Sequence, residues 1–193
     1  NKSGIVFTAE KDGIRYGLGG ISGIKGQAGE IVGERKENGE FKGVQNLFNR
    51  MANRDSMLSK TVIEGLVYSN ALSQFSPNKN SLLAIFPILQ KTYKATATDR
   101  ALSQISLFGN LEEEEIVLPD APTMDHNVEL RKECEVLGVF LSGHPAQEVT
   151  SILASNKDGL SIETLCASEE KRYVTTGGMI QGSRIFYTKK GEQ

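Results

Sequence analysis

Glycines recur from Gly17 to Gly33, and the run Gly19-Gly20-Ile21-Ser22-Gly23-Ile24-Lys25-Gly26-Gln27 is where a binding site is most readily built. Glycine lets a backbone turn sharply and approach a ligand closely. If a helix starts directly after the turn, its first N–H groups have no intrahelical acceptor. Together with the helix dipole they form a place for an anion. Lys25 adds a positive charge. Such a device suits one or two phosphates of a nucleic-acid backbone and reads no bases, so binding would be sequence-independent and salt-sensitive. The same spacing also fits a strand-to-helix loop with no ligand, and spacing alone leaves both readings open. A nucleotide-binding loop fits poorly: Gly17-x-Gly19-x-x-Ser22 is not the dinucleotide fingerprint, and there is no GKS or GKT triplet.

A second candidate is the apolar island Gln104-Ile105-Ser106-Leu107-Phe108, set in a polar stretch. Two large apolar anchors beside a polar residue have the form of a docking peptide. Leu107 and Phe108 would fill a hydrophobic pocket, with Gln104 hydrogen-bonding at its rim. Packing of Ile105, Leu107 and Phe108 back onto the domain is the competing reading. The acidic run Glu112 to Glu115 follows directly and reads as a solvated charge run.

Signals for catalysis are weak. Phosphoryl transfer needs metal-binding carboxylates held together, and the densest acids fall in that polar stretch. Cys134 and Cys166 are far apart, and His126 and His144 lie away from both, so no metal-site spacing is present. Unpaired thiols fit a reduced, cytoplasmic setting. His144 beside Pro145 reads as a helix stop. No catalytic residue, metal ligand or cofactor is expected.

The elements that must position these groups read mainly as helices. Ile5 to Thr8 and Ile14 to Leu18 predict two short strands around an Asp12-Gly13 turn. Ala28, Ile31 and Val32 place a helix from about Gln27 to Glu37, ended by Asn38-Gly39. Gly29 and Gly33 weaken it by roughly 1 kcal/mol each relative to Ala, which predicts a close-packing reason for them. Val44, Leu47, Phe48 and Met51 form a second stripe. Thr61-x-x-Glu64 reads as a capping box before Val62, Ile63, Leu66 and Val67. Ser81 opens a further apolar segment, with a kink or break expected at Pro87. Residues 20–37 and 59–75 have the outline of two helix-turn-helix copies, which spacing alone does not prove. Leu130, Cys134, Leu137 and Leu141 carry a later helix, stopped by Ser142-Gly143-His144-Pro145. Residues 173–188 alternate loosely, as strands do.

The net charge of −2 hides an asymmetry. Residues 1–100 hold 14 Lys/Arg against 9 Asp/Glu, residues 101–143 hold 2 against 9, and residues 144–193 hold 6 of each. A mildly basic first part followed by an acidic stretch suggests a partner surface and a segment that avoids it. No apolar run approaches the ~18 residues of a membrane span, so no membrane partner is expected. The start at Asn1 without Met, and the end at Lys189-Lys190-Gly191-Glu192-Gln193, suggest a fragment of a larger protein.

The order of these residues resembles a known family. Ile14-Arg15-Tyr16-Gly17-Leu18-Gly19, Ile24-Lys25-Gly26, Gly39-Glu40-Phe41-Lys42 and Leu58 to Leu66 come first. Gln104 to Gly109 follow, and then Glu133 to Pro145, whose "LG-aromatic-L-S/T-GHP" ending is the most distinctive part. The series is similar to the alpha subunits of bacterial DNA polymerase III, the C-family replicative polymerases, over most of the chain. That resemblance implies a mainly α fold: a short β-hairpin over residues 1–20 continuing from the fingers, and a tandem helix-hairpin-helix domain over 21–93. It further implies a linker with a clamp-binding motif over 94–126, a helical connector over 127–171 and a truncated OB-fold from 172. It implies contact with duplex DNA backbone by Ser22, Gly23, Ile24, Lys25, Gly26, Gln27 and Lys60. Sliding-clamp docking would fall to Gln104, Leu107 and Phe108, and other subunits of the polymerase assembly would be partners. The family's catalytic acids lie upstream of Asn1, so the fragment itself would perform no polymerisation. Two departures stand out: the first hairpin usually reads "KGVGE", and the second's usual "SGAF" is Ser69-Asn70-Ala71-Leu72 here. The alternatives are a helix-hairpin-helix module from repair or recombination, and a helical adaptor that binds protein only.

Overall fold

The computed structural model describes residues 1–54, 56–101, 116–156, 159, 162–167, 173–178, 180 and 184–185. The chain is mainly α, with one small antiparallel hairpin near its start. It divides into two compact units, Asn1–Phe140 and Leu141–Gln193. The boundary therefore falls inside residues 127–171, the range expected as one helical connector.

The first unit opens with β1 (Thr8–Glu10) and β2 (Gly13–Arg15), paired Thr8 to Arg15, Ala9 to Ile14 and Glu10 to Gly13. Both strands are shorter than expected, and β1 begins where the expected strand ends. Ile5–Phe7 instead lie against the chain after β2, where Leu18 and Gly19 donate N–H bonds to Gly4 and Ile5 carbonyls at 2.8 and 2.9 Å. Gly17 permits this approach: a Cβ there would sit 2.4 Å from the Val6 carbonyl carbon. A 3₁₀ turn, Leu18–Gly20, leads through the turn Ser22–Gln27 into α1 (Ala28–Asn38), which ends at Gly39 with φ +79°. The close packing expected at Gly29 and Gly33 is absent. A Cβ at Gly29 would make one ordinary contact, and one at Gly33 would meet nothing within 4 Å.

Next come α2 (Val44–Asn53) and α3 (Lys60–Tyr68). The cap of α3 is Ser59, whose hydroxyl accepts the Val62 N–H at 3.3 Å, and not Thr61. Thr61 lies inside the first turn, already committed to helical backbone. Helix α4 (Lys79–Ala101) starts before Ser81, because the Asn78 side-chain Oδ1 accepts the N–H groups of Asn80 and Ser81. It also continues through Pro87 and into the residues expected as linker. Pro87 is exposed, while Leu82, Ile85, Phe86 and Leu89 bury the opposite face. At roughly 2 kcal/mol per buried side chain, that face outweighs the ~3 kcal/mol an interior proline costs. Phe48 meets the rings of Phe86 and Tyr93 edge-on at 6.3 and 6.2 Å.

Residues 116–125 run as an irregular strap, with Ile116 and Leu118 packed on the core, into α5 (His126–Leu137). Asp125 caps α5, and Gly138 ends it in a left-handed conformation at φ +75°. The stop thus precedes Ser142–Pro145, and Leu141, expected on the apolar stripe, is 60% exposed. The second unit contains α6 (Gln147–Ser155), α7 (Ile162–Cys166) and an isolated parallel bridge between Gly159 and Thr175. Most of residues 172–193, where the OB-fold is expected, lies outside the described residues.

Candidate functional site

The turn Ser22–Gln27 is held from below by its own apolar residues. Ile21 and Ile24 are buried, Ile24 completely. The Ile24 side chain rests on Gly65 of α3, where an added Cβ would lie 3.0 Å from it. Gly23 has φ +83°, and a Cβ there would strike the Thr61 methyl at 2.5 Å. The turn is thus seated on α3, and Ser22 N–H donates to Val136 O at 2.8 Å, tying it to α5. Tyr16 adds a hydroxyl bond to Leu137 O at 2.9 Å.

The outer side of the turn is open. Ser22, Gly23, Lys25 and Gly26 are exposed. The N–H groups of Ile24, Gln27 and Ala28 bond within the turn, whereas those of Gly23, Lys25 and Gly26 have no acceptor among the described residues. Gln27 precedes α1 without capping it, which leaves the first-turn N–H groups of Gly29 and Glu30 uncapped. Lys25 makes no ion pair with any described residue. This is the arrangement an anion would complete: a rigidly seated turn, free N–H donors and one cation.

The expected site residues divide by role. Ile24 is a buried anchor whose side chain faces α3. Gln27 turns inward, its Nε2 donating to Ser56 Oγ at 3.3 Å and Met57 O at 3.2 Å, while its Oε1 is buried without a donor. Lys60 stands at the start of α3, beside the Thr61 that touches Gly23, with its side chain 88% exposed and Glu64 3.7 Å away. Gln104, Leu107 and Phe108 lie outside the described residues. His144 Nδ1 accepts the Ala146 N–H at 3.1 Å, as a turn residue does. Among the described residues no group of three or more His, Cys, Asp or Glu could hold a metal ion.

Sequence reasoning missed Gly65 and Thr61 as the seat of the turn. A glycine inside an apolar helical stripe was the available signal. It also missed a charge cluster between α1 and α2. Glu34 is buried and binds Arg50 Nε at 2.8 Å and Arg54 Nε at 2.7 Å, with Asn38 Nδ2 at 2.9 Å. Arg50 also reaches the Glu34 and Gly39 carbonyls and lies over the Phe41 ring at 4.4 Å. The Arg50 hydrogen bond, the largest influence, outweighs burial and holds the Glu34 carboxyl below its usual range. These cations are committed internally, so the cluster fastens α2 to α1.

Residues 1–82, which hold this turn and the helices around it, match the family model described as a helix-hairpin-helix motif. More particularly, the chain is similar over nearly its whole length to one segment of the DNA polymerase III alpha subunit, in agreement with the residue-order resemblance. The Aquifex aeolicus protein is 31% identical over 194 residues, covering 100% of this chain and 15% of that protein. The alpha subunits of Escherichia coli K12 and Haemophilus influenzae are 28% and 29% identical, each over 97% of this chain and 16% of the relative. The chain thus spans about one sixth of the length of these relatives.

Proposed function

We propose that this chain is the part of a DNA polymerase III alpha subunit that holds duplex DNA by its backbone and tethers the enzyme to a sliding clamp. The carrying observation is the first hairpin: a seated turn whose N–H groups at Gly23, Lys25 and Gly26, and whose Lys25 side chain, have no partner among the described residues, before an uncapped helix start. Phosphates would complete those donors, and Lys60 would add charge from the adjoining helix. Ile24 and Gln27 serve by holding the turn in shape. With only ~2–4 phosphate contacts such a module binds weakly by itself. Tethering then multiplies its effect through local concentration.

The tether in this reading is Gln104, Leu107 and Phe108, between the end of α4 at Ala101 and the strap that begins at Ile116. The support for it is the motif itself, an apolar pair with a polar neighbour in an otherwise polar stretch. Together the two contacts would keep a polymerase on its template between nucleotide additions, alongside other subunits of its assembly. The chemistry of DNA synthesis would come from other parts of the longer protein.

Fluorescence anisotropy with a labelled duplex tests the first half. Affinity is expected to fall with added salt, with a slope of about 0.9 per phosphate neutralised, and to drop in Lys25→Glu. Salt-independent binding, or indifference to that substitution, would rule the hairpin out. For the second half, a peptide spanning Ser103 to Leu111 is expected to bind the host's clamp. The proposal loses its clamp half if the peptide does not bind and Leu107→Ala with Phe108→Ala has no effect in the full protein.

A further inference from the structure

The two hairpins of the first unit share an outline but not their free groups. The second joins α3 to α4 through Ser69–Asn78. We infer that the hairpins have divided roles: the first is open to a phosphate backbone, whereas the second is closed to it and serves as the dock for the strap 116–125 and α5. The first half of this division rests on the function proposed above; the second stands on geometry alone.

The contrast begins at the helix starts. Gln27, before α1, turns away and caps nothing. Asn78, before α4, places its side-chain Oδ1 on the N–H groups of Asn80 and Ser81, at 3.0 and 3.3 Å. The donors an anion would need are therefore already satisfied by a side chain. The cations differ in the same way. Lys25 is exposed and has no ion pair among the described residues, whereas Lys79 is 6% exposed with its Nζ 3.3 Å from Glu129 Oε2 of α5. A carboxylate of the chain thus already stands beside the one cation at the start of α4.

The rest of the second hairpin is covered from the same side. Asn78 Nδ2 donates to Ala121 O at 2.6 Å, and Asn80 Nδ2 to Pro122 O at 2.8 Å, so two side chains at this helix start hold the strap. Asn70, at the turn after α3, reaches Glu133 Oε1 at 3.5 Å, and Glu133 is buried at 2% exposure. The hairpin turn is thus in contact with a buried acidic side chain of α5. The strap's start is fixed in turn by the Ile116 N–H on Gln45 Oε1 at 2.7 Å. The second hairpin therefore anchors the strap 116–125 that leads into α5.

The test uses the full chain and a labelled DNA duplex over a range of salt concentrations. Ser73 and Gln74 are exposed on the second hairpin, so Ser73→Glu with Gln74→Glu puts negative charge there without touching the core. Duplex affinity is expected to stay within about twofold of the unaltered chain and the salt slope to stay unchanged, while Lys25→Glu weakens binding several-fold. Equal weakening by both variants overturns the division. Asn80→Ala provides the structural arm. Hydrogen exchange is expected to speed up in residues 116–125 and to stay unchanged at Ser22–Gln27. Unchanged exchange in the strap overturns the docking role. If Lys25→Glu has no effect while the strap responds as expected, the DNA reading of the first hairpin has failed and the docking role survives.

Discussion

Single side chains and single glycines decide whether the first hairpin keeps its shape. Gly23 combines φ +83° with the Thr61 methyl in the space a Cβ would need. Gly23→Ala is therefore expected to destabilise the fold by roughly 1–3 kcal/mol, read as a lower urea midpoint. Gly33 is the opposite case: a Cβ meets nothing and the backbone is helical. Gly33→Ala should raise stability by up to about 1 kcal/mol. Glu34 supplies a pH dependence. Its carboxyl is held below the usual carboxylate range, first by the Arg50 hydrogen bond. A depressed folded value stabilises the protein at every pH above the unfolded one. That contribution is lost as pH falls below about 4.5. Glu34→Gln should flatten the acid limb of stability against pH and cost roughly 2–3 kcal/mol at neutral pH, because Arg50 and Arg54 lose their shared anion.

Among the elements, the second hairpin shows how a departure from a family pattern is tolerated. Asn70 is the one described non-glycine residue with positive φ, at 60°. The Ala71 N–H bonds Leu66 O at 3.0 Å and the Asn70 N–H bonds Val67 O at 3.1 Å, the paired bonds of a Schellman ending. Asn enters the left-handed region more readily than other side chains, so the turn forms without glycine. Asn70→Gly should keep the turn and Asn70→Ala should lose about 1 kcal/mol more, measured by thermal unfolding. Both substitutions delete the bond to Glu133, so their difference isolates the backbone. Much at this scale could be read from sequence: the α1 and α2 stripes, the stop at Gly39 and the Asp-Gly hairpin. The caps of α3 and α4 could not. Ser59, Thr61, Asn78 and Ser81 all have side chains that can cap, and the choice depends on where packing starts each helix.

For the molecule as a whole, the hydrophobic core of Leu18 through Leu137 lies entirely within the first unit. A chain ending at Phe140 is accordingly expected to unfold in one cooperative transition with a Tm close to that of the full chain, checked by calorimetry. A broad, non-cooperative melt would show that the first unit needs the second. No helix among the described residues is long and apolar enough to cross a membrane. The basic excess of residues 1–100 and the acidic run at Glu112–Glu115 lie in different parts of the sequence.

The sequence by itself determined the mainly helical class, the glycine turn and the order of motifs that resembles the polymerase family. Periodicity, turn chemistry and residue order are local properties, carried by neighbours in the chain. Tertiary structure decided which candidate groups stay available. Lys25 and Lys79 are the same residue type near the starts of two similar helices, yet one is exposed with no ion pair among the described residues and the other is buried against Glu129, 50 residues further along. Ile24 and Gln27 belong to the glycine turn by sequence, but packing on Gly65 and bonding to residues 56–57 turn their side chains inward. Exposure and pairing depend on distant segments folding back, and no local pattern encodes them.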